Sequence, residues 1–327
     1  MMKYLFVFGN TPDLSKAELE AVLKSKNFKL TQIIFEGKVL CIDCEDLIPE
    51  EIFNLLGGTV KVGEIVENVD FSEFVGKKIS FGVSILTAKA NWKDVIDLDK
   101  KIKKEIGGRF VLPPKGETEL SSVVVKKQML VEYLLFQDLI AKTIWVQDFE
   151  DWGKRDYGKP QVEAHVGMLP PKVARMMINL AQSTNILDPF CGTGTILMEA
   201  LTIGLSAIGS DKDSRQIERA RKNLEWLGES AQLLVCDATN ISQKISAVDA
   251  IVTEADLGPK HGLDQLYIEC FKNWKGKFKI IVIALPSPNI IDKVKSMGYT
   301  LESGPFIYAR PQAIIKRHIV VFKDGTY

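Results

Sequence analysis

The stretch Ile186-Leu-Asp-Pro-Phe-Cys-Gly-Thr-Gly-Thr-Ile-Leu-Met-Glu-Ala200 constrains the fold of this 327-residue chain more than any other. It reads as a short apolar strand, a tight glycine turn and the opening of a helix. Glycines at 192 and 194 let the main chain approach a ligand closely, and the first helical N–H groups point at it. About twenty residues on, Ala207-Ile-Gly-Ser-Asp211 reads as a second strand ending in an acid, the position that accepts from ribose hydroxyls in doubly wound folds. A third strand ends at Asp237, followed by Ala238, and a fourth runs from Val248 to Glu254. Polar groups at successive carboxyl ends follow the crevice rule of open α/β sheets and predict a nucleotide-like ligand.

The run Asp188-Pro-Phe-Cys-Gly-Thr-Gly-Thr195 resembles the first motif of S-adenosylmethionine-dependent methyltransferases acting on exocyclic amines of bases. The nearest resemblance is to the THUMP-containing tRNA (guanine-N2) methyltransferases of the archaeal guanine-10 type. Position 197 is Leu, so the third glycine of a dinucleotide fingerprint is missing, which opposes a dehydrogenase. The resemblance implies S-adenosylmethionine as cofactor, held by Asp188, Phe190, Gly192, Thr193, Gly194, Asp211, Lys212, Asp237 and Ala238. It also implies tRNA as partner and leaves open a small activating protein subunit. In that family the fourth strand ends in Asp or Asn, then prolines and an aromatic residue that stacks on the flipped base. Here the catalytic positions carry Glu254-Ala-Asp-Leu257, with Glu254 as amine acceptor and Asp256 where no stacking is available. Three readings follow: a tRNA guanine-N2 methyltransferase, a catalytically impaired tRNA-binding adaptor of the same fold, or an amine methyltransferase for DNA adenine.

Charge does not advertise the partner, because 42 Lys+Arg balance 42 Asp+Glu and any basic surface must be local. The start lacks the apolar core of a signal peptide, and no apolar run approaches a membrane span. Five scattered cysteines indicate a reducing compartment, so a cytoplasmic location is expected. Cys41-Ile-Asp-Cys44 has no second pair and sits in a strand-like run, so no metal site is expected.

The expected architecture is α/β, with a C-terminal Rossmann-like methyltransferase domain over residues 166–327. Residues 1–147 form an α+β region, ferredoxin-like at first: strand 3–8, a helix capped by Ser15 and Glu18, two strands, a short helix stopped at Gly57-Gly58, and strand 60–66. Arg109-Phe-Val and Glu119-Leu-Ser-Ser resemble the closing part of a THUMP domain, which implies RNA binding through Arg109, Lys126 and Lys127. Residues 148–165 read as a linker whose Trp152, Arg155 and Tyr157 suit stacking on or clamping an RNA strand. Pro170-Pro171 opens a helix to about Gln182, since a first turn tolerates the missing N–H.

Overall fold

The computed structural model describes residues 2–69, 79–106, 108–162, 168–245, 248–255, 262–309 and 316–327. They form two compact units, and the division is not a single cut in the chain. The first unit holds Met1–Pro12, Lys26–Asn54 and Thr59–Phe149; the second holds Asp13–Ser25, Leu55–Gly58 and Glu150–Tyr327.

The elements of the first half are β1 (Met2–Phe8), α1 (Pro12–Ser25), β2 (Leu30–Glu36), β3 (Val39–Cys44), α2 (Glu50–Leu55) and β4 (Thr59–Val66). They continue with β5 (Ser80–Ile85), α3 (Trp92–Ile106), β6 (Arg109–Phe110), α4 (Ser122–Lys127), β7 (Val131–Phe136) and β8 (Leu139–Val146). All eight strands join one sheet, in the order β2-β3-β1-β4-β8-β7-β5-β6. Strand β1 is buried from Tyr4 to Phe8 because it pairs on both sides, antiparallel to β3 and to β4. The first four strands have the order of a split βαβ arrangement, as the pattern of apolar runs predicts. Strands β7 and β8 go beyond the sequence reading; they are a hairpin turning at Gln137, which takes a positive φ. Cys41 and Cys44 lie in β3 as buried free thiols, and no metal-holding cluster occurs among the described residues.

This sheet tolerates a buried charge pair. Lys61 donates to Glu132 at 2.7 Å and to the Leu120 carbonyl at 2.5 Å, while Ser84 and Thr143 donate to the same carboxylate at 2.6 and 2.9 Å. Such a pair persists in a dry interior because its remaining hydrogen-bonding sites are met.

The second half contains α5 (Phe149–Tyr157), α6 (Pro171–Ala181), β9 (Asn185–Asp188), α7 (Thr195–Thr202), β10 (Ser206–Asp211), α8 (Ser214–Leu227) and β11 (Gln232–Val235). It ends with β12 (Ala250–Glu254), α9 (Leu263–Trp274), β13 (Ile280–Leu285), α10 (Ile291–Ser296), β14 (Tyr299–Tyr308) and β15 (Arg317–Asp324). The sheet order is β11-β10-β9-β12-β13-β15-β14. The five strands from β9 to β13 are parallel, and β15 returns antiparallel to β13. Chain direction therefore reverses its neighbour order at β9 and β12, the switch point where such sheets bind ligands.

Two sequence expectations need correction. Ser15 and Glu18 do not cap α1, which starts at Pro12 and encloses both. Glu18 instead turns inward, where its carboxylate accepts from the Gly57 and Gly58 amides at 2.7 and 2.8 Å and from Asn179 Nδ2 at 2.7 Å. Nor is 148–165 a linker throughout, because Phe149–Tyr157 is a helix with Trp152 and Arg155 facing inward. His165 lies outside the described residues.

Replacing Glu18 by Ala leaves three buried or half-buried donors without their acceptor. We expect a loss of about 3 kcal/mol of unfolding free energy, read by urea denaturation.

Candidate active site

The glycine turn is built from the residues upward. Strand β9 is too short to do more than deliver Asp188 to the sheet edge, and the chain then reverses through Pro189–Gly194. The Cys191 amide donates to the Ser210 carbonyl at 2.9 Å, tying the turn to β10, and Gly194 donates back to Cys191 at 2.7 Å. Gly194 sits at φ +86°, and a methyl group there would lie 3.3 Å from Ala220 Cβ. Gly192 has φ +49°, but a methyl group would meet nothing within 4 Å. Its glycine is needed for backbone conformation, and the space beside it is open.

Three acids converge on this turn. Asp188 is buried; it accepts from Thr253 Oγ1 at 2.6 Å and from the Phe190 amide at 3.1 Å. Burial pushes its carboxyl up to about 7, against the pull of those two donors, and the charges of Asp211 and Glu254 push the same way. Asp211 accepts from the Gly192 amide at 3.1 Å and the Asp213 amide at 2.9 Å, and burial raises its carboxyl as well. A carboxylate has about four acceptor sites, so Asp211 keeps capacity for two hydroxyl donors.

The fourth-strand acid, Glu254, is half-buried and forms a two-pronged pair with Arg317. Arg317 Nε donates to one oxygen, and Nη2 donates to the other at 3.2 Å. Sequence reasoning missed both Arg317 and Thr253. Arg317 opens the last apolar run, where a single charge reads as a strand boundary, and Thr253 reads as an ordinary β residue.

Asp237 lies just beyond β11, exposed, with its carboxylate held by Thr239 through Oγ1 at 2.6 Å and the amide at 2.9 Å. Those donors lower its pKa. The neighbouring Ala238 carbonyl accepts from Trp274 Nε1 at 3.0 Å, which fixes the backbone there. Lys212 is exposed and lies within electrostatic reach of Asp211 and Asp237, while Phe190 is half-buried and Thr193 buried. Asp256 and Leu257 lie outside the described residues.

The expected RNA-contacting set divides. Arg109, Lys126 and Lys127 are exposed in the first unit, with Lys126 paired to Asp148 at 2.9 Å and Lys127 over the Phe149 ring. Tyr157 is exposed on α5. Trp152 and Arg155 do not fit a surface clamp: both are buried, because Arg155 pairs with Glu199 at 2.6 Å and stacks 4.5 Å from the Trp152 ring. A desolvated guanidinium with a carboxylate partner has no reason to leave it for a phosphate.

The RMKL-like methyltransferase-domain family UPF0020 matches residues 159–294. A tRNA (guanine(10)-N2)-dimethyltransferase of Pyrococcus abyssi is 25% identical over 353 residues, covering 98% of this chain and 99% of the relative. The enzyme of that name from Methanocaldococcus jannaschii is 30% identical over 268 residues, covering 77% of this chain and 67% of the relative. Among solved structures, TrmN from Thermus thermophilus superposes with a TM-score of 0.64 at 16% identity, covering 98% and 99% of the two chains. That likeness bears on the fold alone.

Asp188 gives the folded chain a pH signature. Its folded-state pKa, about 7, lies above the unfolded value near 4, so the native state holds a proton that the unfolded state releases. The stability it contributes is complete below about pH 4 and is lost as pH rises to about 7. Asp188→Asn should abolish this part of the decline, on the order of 4 kcal/mol, measured as the wild-type minus variant difference in unfolding free energy across that window.

Proposed function

This chain belongs to the family of the tRNA (guanine(10)-N2)-dimethyltransferases, and from that premise we propose that it methylates the exocyclic N2 amine of a guanine in tRNA, with S-adenosylmethionine as donor. The observation that carries the reading is the set of acids Asp188, Asp211 and Glu254 around the open ground beside Gly192. A cationic donor fits such a set, because Asp188 then faces a positive charge instead of only like charges. By its place at the end of β9, Asp188 suits the methionine amino group, and Asp211 suits the ribose hydroxyls. Asp237 with Ala238 suits the adenine edge, with Lys212, Phe190 and Thr193 flanking. Gly192 and Gly194 let the backbone run beneath the ligand.

S-adenosylmethionine supplies a methyl group on a sulfonium that leaves as a neutral thioether. The guanine N2 lone pair forms the new C–N bond as the C–S bond breaks, and the nitrogen must then shed a proton. Glu254, at the carboxyl end of β12, suits the role of its acceptor. Alignment does most of the remaining work, since a nearly in-line displacement needs the amine held at near-attack distance. The α+β region of the first unit suits the role of a THUMP-like RNA-binding module, with Arg109, Lys126 and Lys127 as its exposed cations and phosphates as their targets. Five free thiols suit a reducing cell interior.

The test is transfer of labelled methyl groups into unmodified tRNA transcript, followed by nucleoside digestion, with cofactor binding checked on the same sample. We expect label in N2-methylated guanosine. Glu254→Gln should lower kcat roughly a hundredfold or more while changing cofactor affinity less than twofold. Bound cofactor without label would instead support a tRNA-binding adaptor, and label in DNA adenine would move the substrate class.

A further inference from the structure

Glu254 poses a positioning problem. A glutamate carboxylate swings about one more bond than an aspartate, and the Asp188 carboxyl nearby feels its negative charge. Left alone, the side chain would turn away from the acids and from any substrate amine. Arg317 answers this from a strand that does not touch β12. The register places Glu254 beside Ala284 on β13, and Ala284 beside Ile319 on β15. Side chains repeat on one face every second residue, so Arg317 shares a face with Ile319, Ala284 and Glu254. The guanidinium thus reaches diagonally across β13, past a side chain no larger than a methyl group. It is 2% exposed, lies with its face 5.8 Å from the Tyr308 ring, and sends two N–H groups to the two oxygens of Glu254.

We propose that Arg317 is a positioning residue for methyl transfer: its fork fixes the Glu254 carboxylate, against the repulsion of Asp188, in the orientation that receives the amine. This rests on the function proposed above. A planar fork removes the rotational freedom of the glutamate without consuming all four of its acceptor sites. Lysine would supply charge but not orientation.

The experiment is a double-mutant cycle on methyl transfer to tRNA, with E254Q, R317Q, R317K and the E254Q/R317Q pair. Cofactor affinity, tRNA KM and melting temperature are measured for each. If Arg317 acts through Glu254, R317Q lowers kcat about a hundredfold with KM and cofactor affinity within twofold, and the double variant is no slower than E254Q alone. R317K, which keeps the charge and is the safer variant for folding, should recover part of the rate and remain about tenfold slow. Losses that multiply in the double variant, or R317K and R317Q working at wild-type speed, would overturn the proposal alone. A wild-type protein that binds cofactor and tRNA but leaves no label would overturn the function and this proposal together.

Discussion

One buried carboxylate outside the candidate site holds together the helices behind the glycine turn. Glu199, on the second turn of α7, is fully buried and accepts from Arg155 at 2.6 Å and from Arg175 at 2.7 Å. These three residues tie α5, α6 and α7 together, and both guanidiniums lie over the Trp152 ring, 4.5 and 5.1 Å from its centroid. One turn earlier on the same face of α7, Thr195 accepts from the buried Lys159 at 2.8 Å. Because α7 begins at the glycine turn, this network holds from behind the backbone on which the ligand is to rest. A neutral residue at 199 would remove the carboxylate that two desolvated guanidiniums share, a loss of about 3–5 kcal/mol in such pairs. Precision at the turn is therefore secured by charge rather than by apolar packing alone.

The site itself has the opposite electrostatics. Burial raises the Asp188 carboxyl, and the charges of Asp211 and Glu254 add their repulsion to it. Two things can relieve it: a proton or a cation. Among the described residues, Arg317 pairs with Glu254 and Lys212 lies within electrostatic reach of Asp211, whereas Asp188 has a hydroxyl and an amide. An incoming sulfonium and ammonium group would complete the balance, so affinity and ionisation of Asp188 are linked.

Much of this was legible in the sequence because it is local. The glycine turn, the acids that end β9, β10 and β12, and the helix opened by Pro171 each depend on residues a few positions apart. The strand β13, apolar throughout, could only be central. What stayed hidden depends on pairing over long separations. Trp152 and Arg155 have the composition of an RNA clamp, and only the position of Glu199 shows that they point inward. Glu18 has the spacing of a capping box, yet its partners are two glycine amides and an asparagine on α6. Arg317 is 63 residues from Glu254, and the register through β13 that unites them is written in no motif.

The same long separations decide where the catalytic unit ends. A boundary placed at the 148–165 segment would treat residues 166–327 as self-sufficient, but the compact unit also includes Asp13–Ser25 and Leu55–Gly58. Leu14 and Ala21 of α1 are buried in the same apolar cluster as Met176, Met177 and Leu180 of α6. Gly57 and Gly58 lack side chains for a steric reason: a methyl group on the first would come within 2.5 Å of the Lys172 carbonyl, and on the second within 2.7 Å of Met176 Sδ. Helix α6 thus packs on one side against the sheet that carries the acids and on the other against segments from the start of the chain. Cutting those segments away would expose an apolar stripe on α6 and leave Asn179 without its carboxylate. These two segments from the N-terminal half are therefore part of the same compact unit as the methyltransferase sheet.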